Sequence, residues 1–248
     1  MSLNYILVTG SSSGIGKQIA IQLSQNNNVI LHGRDVIRLD EVKQLCNKST
    51  KQLVWQNDLN ITQNVEASLS QFISDNNIAI SKYVHCAGYM KLAPLKMSTL
   101  DVLNATFNTN VIATSLIFKV LAQKKANNAA LNSAVFISSN LSTMGAKAMS
   151  AYGASKGALD TLMRCLAVEL APKIRVNSVL PGAVLTEMTQ QIFENEEVKA
   201  RMEATYPLGI GEPNDIFYMV DFLLSDKAKW ITGQQFTVDG GRSINISG

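Results

Sequence analysis

The sequence predicts an α/β protein built on one doubly wound parallel sheet, seven strands with helices on both faces. Three observations carry this expectation. Short β-branched runs alternate with longer helical patterns from end to end, which implies right-handed βαβ units. A glycine-rich turn, Thr9-Gly-Ser-Ser-Ser-Gly-Ile-Gly16, joins the first run to a helical segment near the chain start. The chemically suggestive residues also fall just after the runs, where ligands of such sheets sit.

The first strand, Tyr5–Thr9, passes through the glycine turn into a helix over Ile15–Gln25, which Asn26-Asn27-Asn28 ends. Strand two is Val29–His32. The helix after it, Val36–Cys46, has Asp35 where an N-cap belongs. Strands three and four are Leu53–Gln56 and Tyr83–Cys86, with a helix over Asn64–Asp75 between them. One long helix is expected over Leu100–Lys125, then strand five at Ala134–Ser138 and a helix over Tyr152–Leu170. Strand six, Arg175–Leu180, precedes helices at Glu187–Met202 and Pro213–Leu224, and Gln235–Val238 closes the sheet. No linker, repeat or low-complexity tract interrupts the pattern, so residues 1–248 read as a single domain.

Composition narrows the function classes. The 248 residues are 46% hydrophobic and 17% charged, with net charge +3. Lys124-Lys125 is the sole adjacent basic pair, so no nucleic-acid partner is expected. Cys46, Cys86 and Cys165 lack metal-ligand spacing and read as free thiols in a reducing, cytoplasmic setting. With His32 and His85 as the only imidazoles, no metal site and no Ser-His-Asp arrangement is expected. The apolar stretch from Val111 to Ala122 contains Lys119 and is too short to span a bilayer, so no membrane partner is expected. The first strand begins almost at once, which predicts no secretory signal.

The most informative pair is Tyr152 and Lys156. Four residues apart on a helix, they share a face. A nearby ammonium favours phenolate, so Lys156 is expected to lower the tyrosine pKa toward the range useful for trading a proton. In the glycine turn, Gly10 permits a tight bend, Gly14 lets backbone approach a pyrophosphate, and Gly16 allows close helix-to-strand packing. The following helix offers N–H groups and a favourable dipole to phosphates. After strand two stand Gly33 and Arg34 rather than an acid, and a guanidinium there can pair with a 2′-phosphate. This predicts NADP(H) over NAD(H). The counter-reading turns Asp35 inward to serve NAD and leaves Arg34 solvated.

Taken together, the glycine pattern, Cys86-Ala-Gly88, Ser139, the Tyr152/Lys156 pair and Pro181-Gly-Ala-Val-Leu-Thr186 resemble the short-chain dehydrogenase/reductase family. The likeness is to its short form, in the 3-oxoacyl-(acyl-carrier-protein) reductase-like branch. It runs through Trp230-Ile-Thr-Gly233 and Val238-Asp-Gly-Gly241. It implies a Rossmann-type fold, a nicotinamide dinucleotide and hydride exchange with a small carbonyl or alcohol substrate, a 3-oxoacyl thioester among the candidates. A noncatalytic NADP-binding regulator on the same fold is the alternative. Longer-chain epimerases need a C-terminal region absent from this sequence.

The resemblance also assigns roles. Gly10, Ser12, Ser13, Gly14, Ile15 and Gly16 would hold phosphates. Asp58 would accept from the adenine amine, with the Leu59 N–H beside it; its other reading is a helix N-cap. Cys86, Ala87 and Gly88 would meet the adenosine half, and Pro181, Gly182, Val184 and Thr186 the carboxamide and phosphates. Ser139, thirteen residues before Tyr152, would hold the carbonyl oxygen, Ser138 pointing to the opposite strand face. Tyr152 would act as general acid, with Lys156 tuning it and holding the nicotinamide ribose. Asn110 would position a water in a bent helix, or Asn108 if the register shifts by two. Where relatives carry two asparagines before Ala-Gly, this chain has His85-Cys86, both expected to be structural. Residues 187–211 would form a substrate lid, with Met188, Ile192 and Met202 toward the pocket, and its closing segment lacks the usual arginine. A homo-oligomer, tetramer or dimer, is implied, through Leu100–Lys125 with Tyr152–Leu170 and through Phe236–Gly248.

Overall fold

The computed structural model describes residues 3–194 and 196–245, and the side chains of all of these except 191–193, 198 and 201. Seven strands form one sheet: β1 Leu3–Thr9, β2 Val29–Gly33, β3 Gln52–Gln56, β4 Ile78–His85, β5 Ser133–Ile137, β6 Arg175–Pro181 and β7 Gln235–Val238. Their order is β3-β2-β1-β4-β5-β6-β7, every pair parallel. The order reverses between β1 and β4, so a crevice opens beyond their carboxyl ends.

Helices cover both faces, as expected for strands buried on both sides. On one face lie α1 Gly14–Leu23, α2 Val36–Leu45 and α10 Pro213–Leu224, packing Ile19, Leu39 and Val220 onto Val8, Leu31 and Val135. On the other lie α3 Val65–Asp75, α5 Ala113–Ala122 and α7 Ser150–Leu170, packing Leu69, Ile117 and Leu159 onto Leu7, Tyr83 and Phe136. Leu7 is fully buried; truncating such a side chain to Ala costs about 2–5 kcal/mol. The caps follow local chemistry. Asp35 accepts from the N–H groups of Ile37 and Arg38 at the start of α2, and Pro213 opens α10 inside a Glu212/Asp215 capping box.

Three elements depart from the sequence expectation. β4 begins at Ile78, five residues earlier, because a register shift between Tyr5 and Ile6 skips Ser81 and lets Lys82 pair with Ile6. The long helix is broken: α4 Leu100–Phe107 runs into a π turn at Asn108–Ile112, then α5, and Gln123 interrupts the chain before the short α6 Lys124–Asn127. The run Leu100–Ala122 is long and apolar enough to cross a membrane by length and composition. Its apolar side, including Ile117, Phe118 and Leu121, is instead packed in the core. The lid helix is two helices, α8 Glu187–Phe193 and α9 Glu196–Thr205.

Candidate active site

The β1–α1 turn presents bare backbone. Gly10 (φ +67°) and Gly14 (φ +51°) adopt the left-handed region. A Cβ on Gly10 would stand 2.7 Å from the Ala87 backbone, and one on Gly16 2.2 Å from the Gly10 carbonyl oxygen. Only glycine fits this contact of turn, helix and strand. Gly14 faces Thr186 across the crevice, 3.2 Å from where a side chain would begin. Ser13 caps α1 without a side-chain hydrogen bond, which leaves the first-turn N–H groups to the crevice.

The crevice is a single cavity of about 960 Å³, and every residue expected to hold the dinucleotide lines it, together with Ser139, Tyr152 and Lys156. The long wall joins the glycine turn to the tyrosine and lysine. With its glycine cradle and open helix N-terminus, it fits a dinucleotide.

At the end of the cavity formed by β2 and α2, Arg34 is exposed in the wall. Arg38, one helical turn later, lines the same wall and forms an ion pair with Glu187, the first residue of α8. Asp35 is engaged as the α2 cap and is not among the lining residues, so Arg34, Arg38 and Asp58 are the charged groups of this end of the wall. Asp58 accepts from the Asn60 N–H at 3.0 Å, a local turn rather than a helix N-cap, and Leu59 is buried beside it.

At the other end Ser139, Tyr152 and Lys156 converge on the cavity wall. Tyr152 and Lys156 leave α7 side by side, with the Lys156 ammonium 5.6 Å from the Tyr152 ring centre. Lys156 Nζ donates to the Ile137 carbonyl at 2.8 Å. Burial lowers its pKa to about 8, while Cys86 and Asp160 pull the other way. Burial also raises the Tyr152 phenol to about 12, outweighing the opposing effect of the neighbouring Ser139 hydroxyl. The expected lowering of the phenol by Lys156 is therefore not produced by the polypeptide: desolvation dominates and keeps the phenol protonated. The Ser139 hydroxyl accepts from the Leu141 N–H at 3.2 Å. Ser138 donates to the Lys156 carbonyl.

Asn110, not Asn108, sits in the core of the π turn. Its Oδ1 accepts from the Tyr89 N–H at 2.7 Å, and its Nδ2 donates to the Tyr89 carbonyl and to Ser155 Oγ at 2.9 Å. The side chain thus braces the β4–α4 loop against α7 and stands behind the cavity wall; both amide hydrogens are taken. Asn108 instead donates to Asn60, at the surface. Gly88 lies between the two halves of this cluster: a Cβ there would come within 3.6 Å of Asn110 Oδ1 and 3.7 Å of Lys156 Nζ.

His85 is buried in the fold, and Cys86 lines the cavity beside it. The His85 Nδ1 meets Tyr83 Oη at 2.9 Å and Thr9 Oγ1 at 3.0 Å, and burial holds the imidazole well below its ordinary pKa. Thr9 Oγ1 also accepts from the Cys86 and Ala87 N–H groups, tying β1 to the end of β4. Burial pushes the Cys86 thiol up to about 12, which disfavours the reactive thiolate.

The lid forms the cavity's remaining side. Met188 and Met202 line it; Ile192 lies outside the described side chains. Sequence reasoning missed four residues. Arg38 was signalled only by its spacing of four from Arg34. Asp160, one turn beyond Lys156, is buried with neither carboxylate oxygen hydrogen-bonded among the described residues. Ser155 holds Asn110. Tyr206 accepts from the Ala183 N–H at 3.0 Å and seats the lid's base; no local pattern marked it.

Residues 10–243 match a family model described as enoyl-(acyl carrier protein) reductase. An L-rhamnose 1-dehydrogenase (NAD(P)(+)) of Sphingomonas sp. is 30% identical, over 97% of this chain and 96% of its own. An L-xylulose reductase of Caenorhabditis elegans is 33% identical, over 97% and 96%. Among solved structures, a short-chain type dehydrogenase/reductase from Mycobacterium ulcerans superposes with TM-score 0.87 at 29% identity, covering 99% of this chain and 92% of that one. A 4-hydroxyisoleucine dehydrogenase complexed with NADH gives 0.89 at 26%, covering 97% and 99%.

Proposed function

Because the chain belongs to the short-chain dehydrogenase/reductase family and is an NAD(P)-dependent enzyme of it, we propose that it interconverts a small carbonyl compound and its alcohol with NADP(H) as preferred cofactor, a 3-oxoacyl thioester being one candidate substrate. The observation that carries this reading is the convergence of Ser139, Tyr152 and Lys156 on one cavity wall shared with the glycine turn.

Gly10 to Gly16 would take the pyrophosphate against the α1 N-terminus. Arg34, with Arg38 beside it, would take a 2′-phosphate. Asp58 and Leu59 would take adenine, and Pro181, Gly182, Val184 and Thr186 the carboxamide end. The reduced nicotinamide, when bound, supplies a hydride to carbon; everything else is the work of the chain. Ser139 donates to the carbonyl oxygen and fixes its position. Tyr152, a protonated phenol at neutral pH, gives its proton to that oxygen as general acid. Lys156, mostly ammonium at pH 7 with its pKa near 8, stabilises the phenolate left behind. Asn110 keeps Ser155 and the Tyr89 backbone in place around it. In the oxidative direction the tyrosinate takes the proton back.

The reading extends to a cytoplasmic homo-oligomer, dimer or tetramer. Leu100 and Ile112 on the α4–α5 run, Val168 on α7, and Trp230 and Ile244 near the C-terminus are large exposed apolar groups that such a contact would cover. Of the C-terminal stretch named above, 246–248 lie outside the described residues.

The test is NADPH oxidation against a panel of ketones, aldehydes and acetoacetyl thioesters. Turnover of at least one carbonyl, faster with NADPH than with NADH, is expected. Tight NADPH binding with silence across the panel would favour a noncatalytic dinucleotide sensor instead.

A further inference from the structure

The cavity's charges divide unevenly. Arg34, Arg38 and Asp58 belong to the adenine end, and Lys156 to the chemistry. The described wall carries two more cations, Lys147 and Arg242, and no carboxylate besides Asp58. Lys147 sits on the β5–α7 loop between the wall residues Met144 and Met149. Arg242 follows β7 on the opposite side, beside the lid's base, where Gly241 packs on Pro207. Neither Lys147 nor Arg242 forms a salt bridge or a side-chain hydrogen bond among the described residues. Arg242 is partly buried.

The same cavity is lined by five methionines, Met90, Met144, Met149, Met188 and Met202. Methionine has an unbranched, polarizable side chain that adapts to irregular apolar shapes. Two unpaired cations facing such a surface in a concave site focus a positive potential and draw an anion. A guanidinium pairs with a carboxylate or phosphate through two parallel hydrogen bonds.

We infer that the substrate is a ketone, or its alcohol, with an apolar body and a terminal oxyanion, a carboxylate or a phosphate, held by Arg242 with Lys147 at the mouth. The inference deepens the oxidoreductase reading and rests on it for the placement of the carbonyl. The oxyanion site itself rests on the cavity wall alone. The polarity is set by the wall: the carbonyl end lies toward Tyr152, the apolar body over the methionines, and the oxyanion toward the lid's base.

The test has a binding arm and a turnover arm. In the first, octanoate and octanamide are titrated against the protein with and without NADPH, followed by thermal shift and by NADPH fluorescence. Octanoate should bind at least tenfold more tightly. Arg242→Gln should cut that discrimination tenfold or more and Lys147→Gln by a smaller factor, whereas the distant surface change Lys227→Gln should leave it alone. In the second arm, kcat/KM is compared for free oxo acids, their methyl esters and acetoacetyl-CoA. Preference for the free acids over their esters identifies a carboxylate, and preference for the CoA thioester a phosphate. Equal binding of octanoate and octanamide, or discrimination that survives Arg242→Gln, would overturn the oxyanion site whether or not ketones are reduced. Loss of NADPH binding with carboxylate discrimination intact would overturn the reductase reading and leave the oxyanion site standing.

Discussion

Cofactor choice is the property most directly set by charge geometry, and Arg34→Ala tests it. A charge-assisted contact between a guanidinium and a phosphate contributes about 1.5–3 kcal/mol. Arg34 is exposed, so water and salt reduce its share to the lower end, about 1.5 kcal/mol, or roughly tenfold in the NADPH-to-NADH ratio. Arg38 must first leave Glu187. That pair is exposed on both sides, and such pairs contribute about 0–1 kcal/mol. Removing the competing carboxylate with Glu187→Gln should therefore raise the NADPH preference, by at most about fivefold on the same scale. The assay is kcat/KM for each cofactor at one fixed carbonyl substrate, backed by fluorescence titration of NADPH and NADH at low and high salt. The preference should shrink as salt rises. An Arg34→Ala protein whose ratio stays within about twofold of the parent, against that tenfold expectation, would refute the reasoning. So would a parent that prefers NADH.

Three further outcomes follow from the other end of the cavity. Tyr152→Phe should abolish turnover while isothermal titration still shows dinucleotide binding; an active variant would remove the phenol from proton transfer. Lys156 has its pKa lowered from 10.5 to about 8 by burial. Between those values the unfolded chain binds more protons than the folded one, so stability climbs with pH across that window. Thermal melts of the parent and Lys156→Met should thus show the parent gaining on the variant from pH 7 to 9.5, by about 2 kcal/mol; a constant gap would contradict the assigned burial. Asp160 raises the Lys156 pKa, so Asp160→Asn should shift the alkaline limb of the kcat/KM profile to lower pH, and an unmoved limb would show that the two groups are not coupled.

What could be read in the sequence is what local pattern encodes. Gly10, Gly14 and Gly16 announce themselves because two left-handed backbone angles and a 2.2 Å approach admit nothing larger. Asp35 as a cap follows from side-chain chemistry within three residues. The bend at Asn110 was legible through the resemblance alone, because the run from Leu100 to Ala122 contains no glycine or proline to mark it; Val102, Ile117 and Leu121 remain buried on either side of it. The early start of β4 was hidden because Ser81-Lys82 breaks the apolar run just where the β1 register slips. Arg38–Glu187 spans 149 residues, and Ala183–Tyr206 joins the sheet to a lid; neither leaves a local trace. The expected lowering of the tyrosine pKa failed for a related reason: helical spacing gives proximity, and burial is a property of the whole fold.

The lid's behaviour follows from how its two roots are joined. Val184, before α8, and Gly211, after α9, form a parallel bridge, reinforced by Leu185 N–H to the Gly211 carbonyl and Gly211 N–H to the Ala183 carbonyl. The excursion between them is therefore a closed loop on a fixed base. That base is crowded: a Cβ on Gly182 would lie 2.7 Å from Asp239 and 2.9 Å from the Tyr206 ring. Asp239 in turn caps the turn that carries Arg242, accepting from the Gly241 and Ser243 N–H groups at 3.1 and 2.8 Å. From this seat the first turn of the lid reaches both ligands' regions, with Thr186 against Gly14 in the glycine cradle and Met188 in the apolar wall. Thr186 and Met188 are separated by Glu187 alone, at the N-cap and in the first turn of α8, so a displacement of the one would carry the other. Glu187, the residue between them, is the one tied to Arg38.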